Sequence, residues 1–220
     1  MGRYWRRCLG VETTFVFDTN VFVYAGESWR EGYRKAREWT PVGGEFRISA
    51  CRRRLAEAMS RYLFDLCKSG YIECLVPDTV PQEIRLTREP RLRSEMESIL
   101  REANIRVEET SKRYKPEDVI YLVSPEHREE IRKFIESCRH RAKKLGISMT
   151  SDPYLILLAR ERNGVLVTGD KRLARIARLV GVKVLYIMDS RQVIEEFDGE
   201  LSRLIRLVKR QQAIHSHIHI

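Results

Sequence analysis

The chain lacks the features of a secreted or membrane-embedded protein. Its longest apolar runs, such as 154–159, are far too short to span a bilayer. The first residues are basic but lack the apolar stretch of a secretory signal. The five cysteines are an odd number without a C-x-x-C pair, which argues against a disulfide framework or a zinc site. These absences predict a cytoplasmic protein with reduced thiols and no membrane partner.

Acidic residues are also too few to balance the basic ones. Lys and Arg number 41 against 31 for Asp and Glu, so the formal net charge is +10. A positive excess of this size attracts polyanions, and nucleic acid is therefore the first partner to consider. A solvated, arginine-rich surface without a partner is the other interpretation. The hydrophobic fraction of 43% is sufficient for a packed core.

Strand and helix patterns alternate along much of the chain. Buried-strand patterns occur at 13–17, 71–76, 105–107, 165–167 and 182–187. Helical patterns occur at 52–68, 79–87, 91–103, 125–145, from 153, and at 172–180. The alternation predicts an α/β fold with a central, mainly parallel sheet. We expect one domain over 1–220, with insertions at about 25–50 and 91–150, the second largely helical, and a helical tail from about 190.

Four acids lie where the predicted strands and helices meet. Asp18 ends the first strand, and Asp170 follows the fourth. Glu83 lies in the first turn or two of the helix after the second strand, and Asp152 begins the helix before the fourth. Active sites of open parallel sheets form outside the carboxyl ends of the strands. Clustered there, the carboxylates would repel one another unless a raised pKa or a cation relieved them, and their oxygens suit Mg²⁺ or Mn²⁺.

Each acid also has a purely structural interpretation. Asp152, followed by Pro153, is a good helix N-cap, and Asp170 could cap the helix that follows it. Glu83 could be an acid favoured by the helix dipole. Asp18 is harder to explain in this way, because an acid that closes a buried strand needs a partner. The structural interpretations are independent of one another, whereas a shared site predicts all four acids together.

Four segments resemble the PIN-domain nucleases. The segments are 15–20 (FVFDTN), 76–84 (VPDTVPQEI), 152–159 (DPYLILLA) and 166–173 (LVTGDKRL). Their order and element types resemble the family's, including the Thr-x-Asp signature at Thr168–Asp170. Asp152 and Asp170 are 18 residues apart, a spacing that the family also favours. The longer layout is more similar to the small protein-only ribonuclease P and RNA-ligase-partner group than to a minimal toxin-type PIN domain.

The resemblance implies a three-layer α/β/α sandwich and an Mg²⁺- or Mn²⁺-dependent endoribonuclease. Asp18, Glu83, Asp152 and Asp170 would be the catalytic metal ligands, and Asn20 and Thr168 would orient them. Cleavage would leave 5′-phosphate and 3′-hydroxyl ends. The resemblance also admits a homodimer, and an antitoxin or an RNA-processing partner.

Basic side chains supply candidate RNA contacts. Three of them, Arg172, Arg175 and Arg178, share one predicted helix face beside Asp170. The other candidates are Lys171, Arg85 and Arg88, and a further basic cluster at 139–141. For about half of these residues, a solvated surface face is the simpler explanation.

Two other functions compete with the nuclease. A catalytically silent PIN-like module would bind RNA or proteins without cleaving, but such a module has no reason to keep four mutually repelling carboxylates. A haloacid-type phosphatase would need a second Asp two residues after Asp18, where Asn20 stands.

Overall fold

The structure is a computed structural model that describes residues 14–26, 56–57 and 59–188. The strands are β1 (Thr14–Phe17), β2 (Glu73–Pro77), β3 (Arg106–Glu108), β4 (Val165–Thr168) and β5 (Lys183–Tyr186). The α-helices are α1 (Thr19–Ala25), α2 (described over 59–68), α3 (Thr79–Arg85), α4 (Pro90–Glu102), α5 (Arg128–Leu145), α6 (Asp152–Glu161) and α7 (Lys171–Leu179). Two 3-10 segments, Pro116–Leu122 and Pro125–His127, precede α5. Most of the insertion predicted at about 25–50, and the predicted C-terminal tail, lie outside the described residues.

The five strands form one parallel sheet in the order β3-β2-β1-β4-β5. The chain adds β2 and then β3 on one side of β1, and afterwards adds β4 and then β5 on the other side of β1. Because such crossovers are right-handed, the two series of helices cover opposite faces. Helices α1, α3 and α4 accordingly pack together, and α5 packs on α6. The predicted three-layer α/β/α fold is confirmed.

The core lies around the central strands. Both β1 and β4 are buried along their whole length, as expected of parallel strands covered on two faces. Helix α6 packs on β1, β2 and β4, and its first eight residues, 152–159, are all buried. This explains its nearly continuous apolar sequence. Among the described helices, none combines the length and apolarity needed to cross a bilayer.

Helix α5 differs in two details from the helix predicted at 125–145. The chain first forms the 3-10 turn Pro125–His127, and the α-helix starts at Arg128. The apolar residues spaced along this helix in the sequence are buried except for Leu145, which is 46% exposed because the helix ends there, at Gly146 in the left-handed conformation. The buried members are Ile131, Phe134, Ile135, Cys138 and Ala142.

The prediction that the cysteines are reduced is wrong for one pair. Cys67, near the end of α2, forms a disulfide with Cys74 in β2, with Cα atoms 5.8 Å apart. The turn at Gly70 sends the chain back along α2, so two cysteines seven positions apart meet in the core. Cys138 is a buried free thiol, and Cys8 and Cys51 lie outside the described residues.

Candidate active site

Asp18 lies directly after β1. The chain builds the sheet outwards in one direction from β1 and in the other direction from β4, so Asp18 stands at the point where the strand order reverses. Its side chain is buried, and its N–H extends the pairing with β4 by donating to the Val167 carbonyl at 3.0 Å. Its Oδ2 accepts hydrogen bonds from Asn20 Nδ2 at 2.5 Å and from Thr168 Oγ1 at 2.6 Å. The carboxylate is therefore held in one orientation by donors from α1 and β4. Ligand sites in open α/β sheets form at this kind of switch point.

The loop after β4 connects Asp170 to Asp18. The Thr168 hydroxyl donates to Asp18 and accepts from the Asp170 N–H at 2.9 Å. The Gly169 N–H donates to Asn20 Oδ1 at 2.8 Å. Thr168 and Asn20 thus each contact Asp18 and the β4–α7 loop.

Asp170 is the N-cap of α7. Its Oδ1 accepts from the N–H groups of Arg172 at 2.7 Å and Leu173 at 3.1 Å. The capping interpretation of this residue is confirmed, and it places the carboxylate at the start of α7 beside Thr168.

Glu83 is held by two other segments of the chain. Its carboxylate accepts from Thr19 Oγ1 at 2.5 Å, from the Ser151 N–H at 2.6 Å and from Ser151 Oγ at 2.9 Å. It is the fifth residue of the seven-residue α3, too far along the helix for the dipole at its N-terminus to explain it. Glu83 instead joins the start of α1 to the start of α6.

Asp152 is the first residue of α6 and is buried. The cap position belongs to Ser151, so the interpretation of Asp152 as an N-cap is wrong. Its Oδ2 forms an ion pair with Arg141 Nη2 from α5 and accepts a weak hydrogen bond from Cys138 Sγ at 3.6 Å. We expected Arg141 on an RNA-binding surface; its guanidinium lies at the acidic cluster instead.

These hydrogen bonds link the four acids into one cluster, and the acids also affect one another's pKa values. Burial raises the pKa of Asp18 well above its ordinary value, and repulsion from Asp152, Glu83 and Asp170 raises it further, against the Thr168 hydrogen bond. Burial and repulsion from Asp152 also raise the pKa of Glu83. The pKa of Asp152 is raised by burial despite its pairing with Arg141.

Asp78 shows how an isolated acid at the same edge differs. It follows β2, and its carboxylate accepts hydrogen bonds from the N–H and hydroxyl groups of Thr110 and Ser111. Burial pushes the pKa of Asp78 upwards, but these donors outweigh it and the pKa is lowered. Asp18 also has donors, but its deeper burial and the neighbouring acids outweigh them, and its pKa is raised.

The family model of the PIN domain matches residues 15–179, which include all four acids. The chain belongs to the PIN-domain family. PIN domains are typically nucleases and usually use divalent metal ions. No protein with a curated description matches the chain.

The donor atoms of this PIN domain fit a divalent cation in kind. Four buried or half-buried carboxylates offer hard oxygen ligands and a strong negative charge. Within the described ranges, no three acidic, histidine or cysteine side chains form a ready-made metal ligand group. Asp152 is bonded to Arg141, and Asp170 caps a helix. A metal would therefore have to draw these side chains closer together.

Arg172 of the predicted RNA-binding set contacts α5. It donates to Ser137 Oγ at 2.7 Å and to the Lys133 carbonyl at 3.3 Å. Its guanidinium also lies 5.7 Å from the centre of the Phe134 ring. These contacts fix α7 against α5, a structural role that the sequence did not indicate.

The other predicted RNA-binding residues lie on more than one element. Arg175 pairs with Glu130 of α5 at 2.9 Å. Three others are exposed: Lys171 at the start of α7, Arg85 at the end of α3, and Arg88 in the loop between α3 and α4. Their contact with RNA stays a prediction.

Side chains that contact the acids but were not predicted as site residues include Thr19, Ser151, Arg141 and Cys138. In the sequence, Thr19 follows Asp18 and Ser151 precedes Asp152. This position next to an acid was the only indication that they belong to the site. Arg141 was visible only as part of a basic run.

Proposed function

We propose that this PIN domain is an Mg²⁺- or Mn²⁺-dependent endoribonuclease whose metal ligands are Asp18, Glu83, Asp152 and Asp170. The observation that carries the proposal is the convergence of the acids at the carboxyl edge of the sheet: Thr168 bridges Asp18 and Asp170, and Glu83 bonds to the residues next to Asp18 and Asp152. Burying ionised carboxylates side by side costs folding free energy. A catalytically silent module gains nothing from that cost, whereas a metal site requires it.

The chain's own groups would position the reaction. A bound divalent ion supplies Lewis-acid chemistry, which activates water and stabilises charge on the phosphodiester. Asn20 and Thr168 hold Asp18 in one orientation, and Thr19 and Ser151 do the same for Glu83. Asp18 and Glu83 are thereby oriented before the metal and the substrate bind.

RNA is the substrate that family and charge both favour. The net charge of +10 draws a polyanion to the protein. The exposed Lys171 follows Asp170 directly, and Arg85 lies two residues after Glu83. These cations can hold backbone phosphates on either side of the acids.

The test is cleavage of a panel of RNAs, including precursor tRNA, by wild type and Asp18→Asn in Mn²⁺, Mg²⁺ or EDTA. We expect metal-dependent internal cleavage by the wild type, with 5′-phosphate and 3′-hydroxyl ends. Asp18→Asn should abolish cleavage and leave RNA binding in a gel-shift assay nearly intact. Asp78→Asn is the matched control, because it makes the same chemical change at the end of the neighbouring strand, outside the cluster.

The outcome also decides between the two functions. A wild-type protein that binds RNA but cleaves none of it with either metal would be the silent module. Equal loss of cleavage in Asp78→Asn would show that Asp18 acts through stability alone.

A further inference from the structure

Arg141 pairs directly with Asp152, a member of the acidic cluster. Its Nη2 donates both to Asp152 Oδ2 and to Cys138 Sγ, the latter at 3.3 Å. Arg141 and Cys138 lie one helical turn apart on α5, and Asp152 begins α6. The contact therefore joins two helices of one face of the sheet at the site itself.

The two partners differ in their freedom to move. The Arg141 side chain is 43% exposed, whereas that of Asp152 is only 10% exposed. Asp152 is fixed at the start of a buried helix, and Arg141 is a long side chain at the protein surface. Arg141 can therefore exchange Asp152 for water, while Asp152 stays in the cluster.

A divalent ion bound by the cluster would need the same carboxylate. We propose that Arg141 competes with the metal for Asp152 and so sets the affinity of the site for divalent cations. This inference rests on the proposed function, since it assumes that Asp152 is a metal ligand. In the metal-free protein the guanidinium offsets one negative charge; in the metal-bound protein it is displaced, or it stays nearby and repels the ion.

The test is Mn²⁺ binding to the metal-stripped protein, measured by isothermal titration calorimetry without RNA. Arg141→Gln removes the competing charge and should tighten Mn²⁺ binding about tenfold. Arg141→Lys keeps the charge and should bind Mn²⁺ much as the wild type does. Arg139→Gln is the matched control: Arg139 is two residues away on α5 and pairs with Glu117, outside the cluster. Its loss should leave Mn²⁺ affinity unchanged.

The results separate this inference from the proposed function. If wild type binds Mn²⁺ and Arg141→Gln binds it equally or more weakly, Arg141 is not a competitor, although the metal site stands. If neither protein binds Mn²⁺ and wild type cleaves no RNA, both proposals fail. If Arg141→Gln binds Mn²⁺ and the wild type does not, Arg141 competes strongly enough to keep the metal out, and the inference is supported.

Arg141→Gln leaves Asp152 without its ion pair and can lower the stability of the fold. A second measurement therefore uses the wild type, with side-chain resonances assigned from Arg141→Lys. Titration with Mg²⁺ should shift the Nε–H resonance of Arg141 and leave that of Arg139 in place. An unshifted Arg141 resonance at saturating Mg²⁺ would overturn the inference.

Discussion

Gly169 can be used to test how the site is positioned, because a methyl group added at this residue would contact side chains of α1. A Cβ built on Gly169 would lie 2.7 Å from Cε2 of Tyr24 and 3.2 Å from Oδ1 of Asn20. Optimal carbon–carbon contacts are about 3.5–4.0 Å. The substitution Gly169→Ala must therefore displace either the Tyr24 ring or the loop that carries Asp170.

The loop cannot move away without a further loss. The Gly169 N–H bonds to Asn20, and the next N–H, of Asp170, bonds to Thr168. Overpacking costs about 1–3 kcal/mol, and a lost hydrogen bond adds about 0.5–1.5 kcal/mol. We expect Gly169→Ala to lower the free energy of unfolding by about 2 kcal/mol, at the low end of these combined ranges. The melting temperature should fall by about 4–8 °C.

A double-mutant cycle identifies the contact. Tyr24→Leu removes Cε2, so the cost of Gly169→Ala should shrink by about 1 kcal/mol or more in that background. Tyr24→Phe keeps the ring and should give no relief. Urea unfolding and Mn²⁺ titration of the wild type, the three single variants and the two double variants would measure stability and site integrity together.

Two results would refute this reasoning. A Gly169→Ala protein as stable as the wild type would mean that the Tyr24 ring moves aside freely. Equal relief from Tyr24→Phe and Tyr24→Leu would mean that the ring is not the obstacle.

Two further predictions concern stability. In EDTA at neutral pH, Asp18→Asn should raise the free energy of unfolding by about 0.5–2 kcal/mol, because burial and repulsion from Asp152 raise the pKa of Asp18 above 3.8. Because the pKa of Asp18 is higher in the folded state than in the unfolded state, the folded protein holds the proton more tightly. The wild type should therefore gain stability as the pH falls through the raised pKa towards 3.8. Asp18→Asn should gain less. Urea unfolding at several pH values measures this, and identical slopes would contradict it. For the disulfide, replacing Cys67 and Cys74 by Ala should cost about 2–3 kcal/mol, from a closed loop of roughly eight residues. Wild type should lose similar stability on reduction and the double variant should not, whereas an unchanged melting temperature in reductant would exclude a stabilising bond.

The fold was predictable because its signals are local and repeat along the chain. Apolar strands followed by helices recur from Phe15 to Tyr186, and parallel topology places all strand ends at one edge. Asp18 and Asp170 could therefore be expected near each other without any knowledge of side-chain contacts. That the whole chain forms a single domain stays a prediction.

The contacts between distant segments were not predictable in the same way. The pairing of Arg141 with Asp152 depends on the path of the chain between α5 and α6, which has no periodic signal. The disulfide depends on the turn between α2 and β2, and its spacing matches no recognised cysteine motif. Such contacts depend on how the elements pack together, and the sequence pattern reports only which face of an element is apolar.

Contacts to single acids of the cluster stabilise those acids, but they do not remove the repulsion between the acids. Hydrogen bonds from Asn20 and Thr168 satisfy one oxygen of Asp18, and Arg141 neutralises Asp152. Such contacts act on one carboxylate at a time, whereas Coulomb repulsion falls only as the inverse of distance. Burial and this repulsion therefore keep the pKa of Asp18 raised even though its hydrogen bonds are made. A divalent cation among the acids is the ligand that would relieve these repulsions at once, and for this reason Asp18 and Glu83, which should bind it, should also stabilise the metal-free fold when they are neutralised.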